Sequence, residues 1–412
     1  MTLIKHGVTE NKTQIIFQLI QVFLVGLTIG MTRTVIPGLA DTEFGLGEKE
    51  FLLLTSFVVV FGVVKAIMNL LAGRLSDSYG RKQVLVAGWA MAIPIPFMIL
   101  YAPSWNWIVA ATLLLGVNQG LCWSMTINSK LDLARLDQKG LINGINEFSG
   151  YAAVAIAGVV TAYIVNFLGA REGLFLFGIV VIVLGLGSSI FYVKETMPWA
   201  KLHQNNSAPD PAPDLHQSLA RLFIQASWND KVLLSLNQAG LVEKFTDAMV
   251  WIFLPVFFLS KGLTLIEGSA IISVYALTWG GSQLITGPLS DKIGRKILIV
   301  SGMWICGIGI LSIPYTDIVF LWTLEAGFIG IGMAMLYPTL GAAVADFSLP
   351  ENRGTMLGIY RFWRDFGYAI AALTLGILAQ ATQLLTAPFL LAALAMILSG
   401  LHVLIVVPNK NP

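Results

Sequence analysis

The chain has 412 residues, of which 56% are hydrophobic and only 12% are charged, with a formal net charge of +2. Soluble domains carry about a quarter charged residues, so this composition excludes an ordinary water-soluble fold. The Lys and Arg residues lie in short breaks between apolar runs, which excludes a basic surface for nucleic acid. The composition therefore predicts an all-α polytopic membrane protein whose main surroundings are the lipid bilayer.

Twelve apolar runs are long enough to cross a bilayer, since a spanning helix needs about 20 residues. They cover residues 14–40, 51–74, 83–102, 106–130, 141–168, 172–193, 233–259, 266–289, 297–313, 318–345, 354–380 and 384–407. The long break after the sixth run has three prolines within residues 204–214, which indicates a linker. The predicted division is a first bundle over 1–193, a linker over 194–232 and a second bundle over 233–412.

The end of this linker has helical periodicity. The apolar positions are Leu215, Leu219, Leu222, Phe223 and Ala226, with Arg221 beside them. Two interpretations stay open, a short helix on the membrane surface and a partly ordered loop.

Positive charge fills every second break. The basic residues of these breaks are Lys5, Lys12, Arg74, Arg81, Lys82, Lys130, Arg135, Lys139, Lys292, Arg295 and Lys296. The opposite breaks are acidic or nearly uncharged, as at Asp41, Glu43, Glu48, Lys49 and Glu50. Because cytoplasmic loops carry the excess of Lys and Arg, both termini are expected on the cytoplasmic side of the cell (inner) membrane.

The sequence repeats itself with a constant offset. The stretch from Gly73 to Lys82 matches the stretch from Gly287 to Lys296, and 287 minus 73 is 214. The same offset aligns Gly116 with Gly330, Trp123 with Tyr337, Asp132 with Asp346 and Phe148 with Phe362. One offset kept over separate helices predicts two similar six-helix bundles, related by a pseudo-twofold axis along the membrane normal, with a site between them.

The repeated pattern Gly-x-Leu-x-Asp-x-x-Gly-Arg-Lys resembles the loop signature of the major facilitator superfamily. The resemblance covers the whole chain and implies twelve transmembrane helices in two pseudo-symmetric six-helix bundles. In that family the aspartate contacts the start of a helix from the other half. This implies that Asp77 meets the positive end of the helix beginning near Gly354 and holds the cytoplasmic side closed.

The resemblance extends to a set of gating residues in and around both motif copies. They are Gly73, Asp77, Gly80, Arg81, Lys82, Asp132, Gly287, Asp291, Gly294, Arg295 and Asp346. Arg81 and Arg295 are expected to pair with Asp132 and Asp346. The alternative is that these charges only fix the orientation of the chain in the membrane.

Charged residues also occur within the predicted spans, where each costs at least about 2.5–3.5 kcal/mol and needs a partner or a water-filled path. They are Arg33, Lys65, Glu147, Glu243, Lys244, Asp247, Glu325, Arg361, Arg364 and Asp365. The offset relates Arg33 to Asp247 and Glu147 to Arg361, so opposite charges occupy equivalent positions. The resemblance implies positions at a central cavity for Arg33, Glu147, Glu243, Asp247, Arg361 and Arg364. One hypothesis is exchange of partners between conformations, with Glu147 or Asp247 carrying a proton.

The other hypothesis is static pairing on one helix. Lys244 would pair with Asp247, and Arg361 with Asp365. For Arg33 the alternative to a cavity position is snorkelling to the outer interface.

Aromatic residues accompany these charges. They are Trp123, Trp251, Tyr337, Tyr360 and Trp363. Tyr360, Trp363 and Arg364 share one helical face by their spacing. These aromatic side chains suit the wall of a path for an organic solute, and equally well simple helix packing.

Together these features predict a secondary active transporter that moves a small organic solute by alternating access, coupled to a proton or to solute exchange. The expected partners are that solute and a proton, with no cofactor, no metal and a monomeric chain. An enzyme is not expected, because the four histidines lie at the ends, in the linker or at the edge of the last helix.

Two alternatives remain. A multidrug/proton antiporter would have an arginine where Gly116 stands and a proline between Gly150 and Gly158, and both are missing. A receptor or scaffold that does not transport is the other.

Overall fold

The computed structural model describes residues 5–46, 50–206, 219–349 and 352–409, and these residues form helices joined by short turns. The helices of the first half are α1 (Lys12–Phe44), α2 (Phe51–Tyr79), α3 (Arg81–Ala90), α4 (Pro94–Leu100), α5 (Trp105–Leu133), α6 (Lys139–Leu168) and α7 (Ala170–Phe191). Two short helices follow, α8 (Met197–Asn206) and α9 (Leu219–Ile224). The last helices are α10 (Lys231–Ser260), α11 (Leu265–Ile293), α12 (Arg295–Ser312), α13 (Val319–Phe347), α14 (Arg353–Thr382) and α15 (Ala387–Val406).

The predicted number of spans is confirmed. Within the described ranges ten segments are long and apolar enough to cross a membrane, and α3 and α4 together make one of them. The remaining two spans are α10 and α11, of 30 and 29 residues. Polar residues lower their hydropathy, since α10 carries Glu243, Lys244 and Asp247 at its centre. Ten plus these two gives the twelve spans of a multi-pass membrane protein.

The internal repeat is visible in the helix bounds themselves. Adding 214 to the bounds of α2, 51 and 79, gives 265 and 293, which are the bounds of α11. The same addition converts α5 into α13 and α6 into α14. The turns after α2 and α11 also match, because Gly80 and Gly294 have φ values of 96° and 94°. Only glycine adopts this conformation without strain, so the motif fixes the same turn twice.

Two long contacts join the first six spans to the last six, since α2 packs along α14 and α6 packs along α11. Within the first half, α1 and α6 approach so closely that a Cβ atom on Gly26 would lie 2.3 Å from the Gly150 carbonyl oxygen. Small residues at such crossings let membrane helices pack backbone to backbone. The surface is rich in exposed apolar side chains such as Phe167, Phe191 and Ile405, as lipid contact requires.

The two ends of the predicted linker contact different halves of the chain. Near its start, Trp199 of α8 donates its indole N–H to the Lys5 carbonyl at 3.2 Å. Near its end, the carbonyl of Ala226 accepts a hydrogen bond of 2.9 Å from Asn237 of α10. A helix is confirmed for Leu219–Ile224. The proposed helical position Leu215 and the rest of 207–218 lie outside the described residues, as do Glu48 and Lys49.

We expect Gly26→Val to destabilise the folded protein by about 1–3 kcal/mol, because the added side chain would have to push α1 away from α6. The measurement is the melting temperature and the gel-filtration profile of the purified protein. Gly187→Val is the matched control, since a Cβ atom there would have none of the described atoms within 4 Å. Equal melting temperatures for the two variants would contradict the close crossing.

Candidate functional site

A cavity of about 570 Å³ lies between the first and last six spans. Its deep wall includes Arg33 and Tyr368, and its other end reaches Leu141 and Asp291 beside the second loop motif. We call the membrane face that carries both loop motifs the motif side. Leu141 is 55% exposed and the Asp291 side chain is 63% exposed, so the cavity opens to water on the motif side. The volume falls in the range of small-molecule sites, roughly 300–1,000 Å³.

The opposite side of the cavity is closed by an aromatic seal between α2 and α10. The indole of Trp251 packs edge-on against Phe57 and Phe61, with ring centroids 5.7 and 4.8 Å apart. Phe51 and Phe253 meet further along the same two helices, with centroids 6.4 Å apart. All of these side chains are buried. Because α2 and α10 belong to different halves, the seal must separate if the cavity is to open on this side.

A buried ion pair lies directly beneath the seal. The two terminal guanidinium nitrogens of Arg33 donate to the two carboxylate oxygens of Asp247 at 2.6 and 2.9 Å. The hydroxyl of Tyr368 also donates to Asp247, and the Tyr275 hydroxyl donates to it at 3.3 Å. The guanidinium lies 5.0 Å from the Trp251 ring centroid. Arg33 therefore faces the protein interior and does not snorkel to the interface.

A second group of charges gathers around Asp365 of α14. Its carboxylate lies 3.9 Å from Lys65 of α2 and 3.2 Å from Arg364. Asn69 of α2 donates a further hydrogen bond to it. The contact joins the two halves, because α2 and α14 belong to different ones. Each charge is thus satisfied inside the protein, as the low dielectric requires.

Lys244 of α10 occupies an aromatic cage at the cavity wall. Its Nζ lies 3.2 Å from Glu243 and 3.9 Å from Asp247. The rings of Trp279, Tyr337 and Tyr368 stand 5.1 to 5.2 Å from the same nitrogen. The predicted contact between Lys244 and Asp247 is therefore present.

Glu147 and Arg361 differ from the charges above, although both line the cavity. One carboxylate oxygen of Glu147 accepts from Trp123 at 3.2 Å and from Asn146 at 2.8 Å. Its other oxygen has no hydrogen-bond partner in the described part of the chain. Among the described residues, Arg361 makes neither a hydrogen bond nor an ion pair. The structure therefore leaves one carboxylate oxygen and one guanidinium without direct partners at the cavity wall.

Five of the expected positions and pairs are not found in this conformation. Trp251 belongs to the seal and does not line the cavity. Trp363 does not line it and instead stacks on Phe223 of α9, because at 100° per residue it points about 100° away from Arg364. Glu243 and Asp247 are buried behind Lys244 and Arg33 rather than exposed to the cavity. The static pair of Arg361 with Asp365 is wrong, since Asp365 is taken by Arg364 and Lys65.

The remaining predicted positions do line the cavity. They are Arg33, Trp123, Glu147, Tyr337, Tyr360, Arg361 and Arg364. Sequence reasoning missed Asn69, Tyr151, Gln283 and Tyr368, which line it too. Tyr368 follows Arg364 by four residues and so lies on the same helix face, and this spacing could have predicted its position at the cavity. For Gln283 and Asn69, no such spacing from a predicted residue indicates a position at the cavity.

Both loop motifs form the same network. Arg81 bonds Asp77 at 2.8 Å and Asp132 at 3.3 Å, and Arg295 bonds Asp291 at 2.5 Å and Asp346 at 3.1 Å. These include the two pairs expected from the sequence.

Three more gating positions shape the turns and the cavity rim. Gly80 and Gly294 make the two positive-φ turns, and Gly287 lines the cavity. The first motif has an additional support that sequence reasoning missed. The Glu195 carboxylate accepts from the backbone N–H groups of Arg81 and Lys82 at 3.0 and 3.1 Å.

Asp77 does not meet the start of α14 in this conformation. Its side chain is 70% exposed and bonds Arg81. A Cβ atom on Gly354 would have no atom of the described residues within 4 Å. The two elements are apart on the side where the cavity is open, and the gating role of the motif residues stays a prediction.

The comparisons with known proteins agree with this architecture. A sequence model of the Major Facilitator Superfamily matches residues 19–242 and 236–412. A probable 4-methylmuconolactone transporter of Cupriavidus pinatubonensis is 26% identical over 91% of this chain and 86% of its own length. An uncharacterized MFS-type transporter of Burkholderia mallei is 22% identical over 87% of this chain and 84% of its own.

A solved structure has the same fold. The crystal structure of a mutant of the nucleoside transporter NupG superposes with a TM-score of 0.77 at 14% identity, covering 96% of this chain and all of that one. The two family matches together take in almost the whole sequence. The chain belongs to the major facilitator superfamily.

Proposed function

We propose that this protein is a secondary active transporter that moves a small organic solute across the membrane by alternating access. The observation that carries the proposal is the central cavity, which opens on the motif side and is closed opposite by the aromatic seal of α2 and α10. A site that reaches one side of the membrane at a time is what alternating access requires. The moving bodies are residues 1–193 and 233–412, joined by the linker 194–232, and the motif side faces the cytoplasm.

The named relative supports a small organic solute. The protein from Cupriavidus pinatubonensis is described as a probable transporter of 4-methylmuconolactone, and this chain aligns with most of it. The cavity here has the size and the aromatic lining for a compound of that order, with Trp123, Tyr151 and Tyr337 at its wall. Coupling to a proton or to solute exchange fits the buried carboxylates of α6 and α10.

The multidrug/proton antiporter is the less favoured alternative. Gly116 lies at the α2 contact, where a Cβ atom would stand 3.1 Å from the Phe61 carbonyl oxygen. An arginine at this position would have to displace α2 and could not reach the cavity in this packing. The other alternative, a receptor or scaffold that does not transport, is distinguished from a transporter by the following experiment.

The experiment is a ligand screen by thermal shift on the purified protein, followed by counterflow of each hit in proteoliposomes with and without a pH gradient. The proposal expects counterflow of at least one hit. Binding without counterflow would favour the receptor. Counterflow of many structurally unrelated cations would favour the multidrug antiporter.

Breaking the Arg33 and Asp247 pair should open the sealed side. Asp247→Asn removes the ion pair without removing volume and leaves a buried arginine unpaired, at a cost of about 3–5 kcal/mol to this conformation. We expect a cysteine at Phe253, which is fully buried in the seal, to react with a maleimide about tenfold faster or more in the Asp247→Asn background. The native Cys122 and Cys306 are both buried.

Arg33→Lys should give an intermediate rate, because lysine keeps the charge but not the two-pronged contact. Glu172→Gln, at the first turn of α7, is the control. Unchanged labelling in both Asp247→Asn and Arg33→Lys would show that this pair does not hold the sealed side closed.

Asp77→Asn should slow transport at least about tenfold while protein yield stays normal. Arg81 keeps its bonds to Asp132 at 3.3 Å and to Ser76 at 2.6 Å, so the turn survives the change. The change removes a negative charge that would stabilise the conformation closed on the motif side, by contact with the start of α14. A loss of about 1.4 kcal/mol lowers the population of that conformation tenfold. The assay is counterflow of a screened ligand.

Asp291→Asn should have a milder effect than Asp77→Asn. The matched control is Asp137→Asn, whose side chain is equally exposed at 70% and pairs with Arg135. Transport by Asp77→Asn at the wild-type rate would remove the motif aspartate from the gate.

A further inference from the structure

Two charge pairs in this protein are related by the internal repeat. Adding 214 to 33 gives 247, and adding it to 147 gives 361. Arg33 and Asp247 are bonded across the two halves at 2.6 and 2.9 Å. Glu147 and Arg361 also come from different halves and line one cavity, yet they form no ion pair. Two pairs at symmetry-equivalent positions therefore differ. Arg33 and Asp247 are in contact and form the closed pair, whereas Glu147 and Arg361 are not in contact and form the open pair.

The two pairs lie at different depths in the membrane. Glu147 and Arg361 each come eight residues after the first residue of α6 and α14, or roughly 12 Å of helix rise from the motif side. Arg33 comes 21 residues after the first residue of α1, or roughly 32 Å from that side. The open pair is therefore nearer the open mouth of the cavity, and the closed pair is nearer the seal.

Arg361 differs from the other cations of the cavity wall. Arg33, Lys244 and Arg295 each have a carboxylate partner within 4 Å, and so do Lys65 and Arg364. Within the described part of the chain, Arg361 has none and donates no hydrogen bond. An arginine that faces water in one conformation and becomes enclosed in the other needs an anion at closure.

Glu147 is the matching acid on the other wall. It is 5% exposed, and its second carboxylate oxygen lies in the interior with no hydrogen-bond donor from the residues that the structure describes. Charged or titratable groups face it from α5, from its own helix α6, from α13 and from α14. These are Lys130, Tyr151, Tyr337, Arg361 and Arg364. Lys130 donates to the Gln18 carbonyl at 3.1 Å.

We propose, resting on the transport function above, that Arg361 binds the carboxylate of an organic monoanion and that Glu147 carries one proton together with it. When the empty carrier closes on the motif side, Glu147 and Arg361 pair directly. When the loaded carrier closes, the solute carboxylate takes Arg361. The other two cations are already engaged, Arg364 by Asp365 and Lys130 by the Gln18 carbonyl, so Glu147 is left without a direct cation partner. Closure would then enclose an unpaired charge unless Glu147 is protonated, so anion and proton cross together and no net charge moves.

The walls around this site specify the body of the solute. Trp123 and Tyr151 have ring centroids 5.8 Å apart, and those of Tyr151 and Tyr337 are 6.1 Å apart. Faces and edges of these rings favour a planar unsaturated group. Gln283 adds a buried amide nitrogen at the cavity wall, for which none of the described residues provides an acceptor. The solute class is a small monocarboxylate with a planar ring, of a size that 570 Å³ holds.

Binding to the purified full chain tests the anion site. The probes are benzoate, phenylacetate and 4-methylmuconolactone, against benzamide and benzylamine as neutral and cationic matches. At least one carboxylate should bind, whereas the amide and the amine should not. Arg361→Gln should weaken binding about 10- to 100-fold, because it removes a charge-assisted bidentate contact. The affinity of Arg361→Lys should lie between those of Arg361→Gln and the wild type.

The control for Arg361→Gln is Arg74→Gln, an exposed arginine of α2 that does not line the cavity. It should leave the affinity unchanged. Binding of the amine or the amide alone, equal affinity in Arg361→Gln and wild type, or no binding of any of the three carboxylates would overturn the inference.

The pH dependence of binding tests the proton. Protonated Glu147 favours the bound anion, so wild-type affinity should fall by up to about tenfold per pH unit once Glu147 ionises. Glu147→Gln should bind with an affinity that does not change with pH. A pH dependence that persists in Glu147→Gln would assign the proton elsewhere and overturn this part of the proposal.

Transport assays in proteoliposomes test the anion and proton sites separately from the proposed transport function. Glu147→Gln should exchange the carboxylate across the membrane but fail to accumulate it against a gradient when a pH difference is imposed. Glu172→Gln should do both. Carboxylate binding with no exchange in wild type would overturn the transport function. Exchange of neutral or cationic solutes alone would leave transport standing and overturn the anion site.

Discussion

The structure depends on one constraint, which is that a charge enclosed within a bilayer must be stabilised by an opposite charge, by hydrogen bonds or by water. In this chain several partners are supplied from across the interface between the halves, as in the contacts of Arg33 with Asp247 and of Lys65 with Asp365. The charges therefore hold the halves together as well as occupying the cavity. Any motion that separates the halves at one end has to replace the partners that it removes, with water, with a proton or with a solute.

The helices and their repeat could be predicted from the sequence because both are recorded locally. Bilayer thickness sets the length of each apolar run, and the offset of 214 residues that aligns the motifs also aligns the bounds of α2 with α11 and of α6 with α14. The motif networks were predictable for the same reason, since Arg81 and Asp132 recur as Arg295 and Asp346.

The partners inside the membrane could not be predicted equally well. Same-helix spacing favoured Arg361 for Asp365, but Lys65 comes from another helix that no local pattern brings near. The seal was invisible for a different reason. Phe57 and Phe61 are apolar residues in an apolar helix, so nothing in the sequence distinguishes the ones that contact Trp251 from those that contact lipid. Trp363 shows the same limit, because its stacking partner Phe223 lies in the predicted linker, far from it along the chain.

The anchoring of the linker has a consequence for how the chain can be divided. The segment before residue 206 stays with the first half through Trp199 and Lys5, and the segment after 219 stays with the last half through Ala226 and Asn237. The first half therefore ends with a helix, α8, that it binds, and the last half begins with a helix, α9, next to the segment that it binds. Two separately encoded fragments cut between these anchors would each keep their own stub, which makes the protein suited to fragment complementation, with assembly of the two polypeptides reporting on the strength of the interface alone.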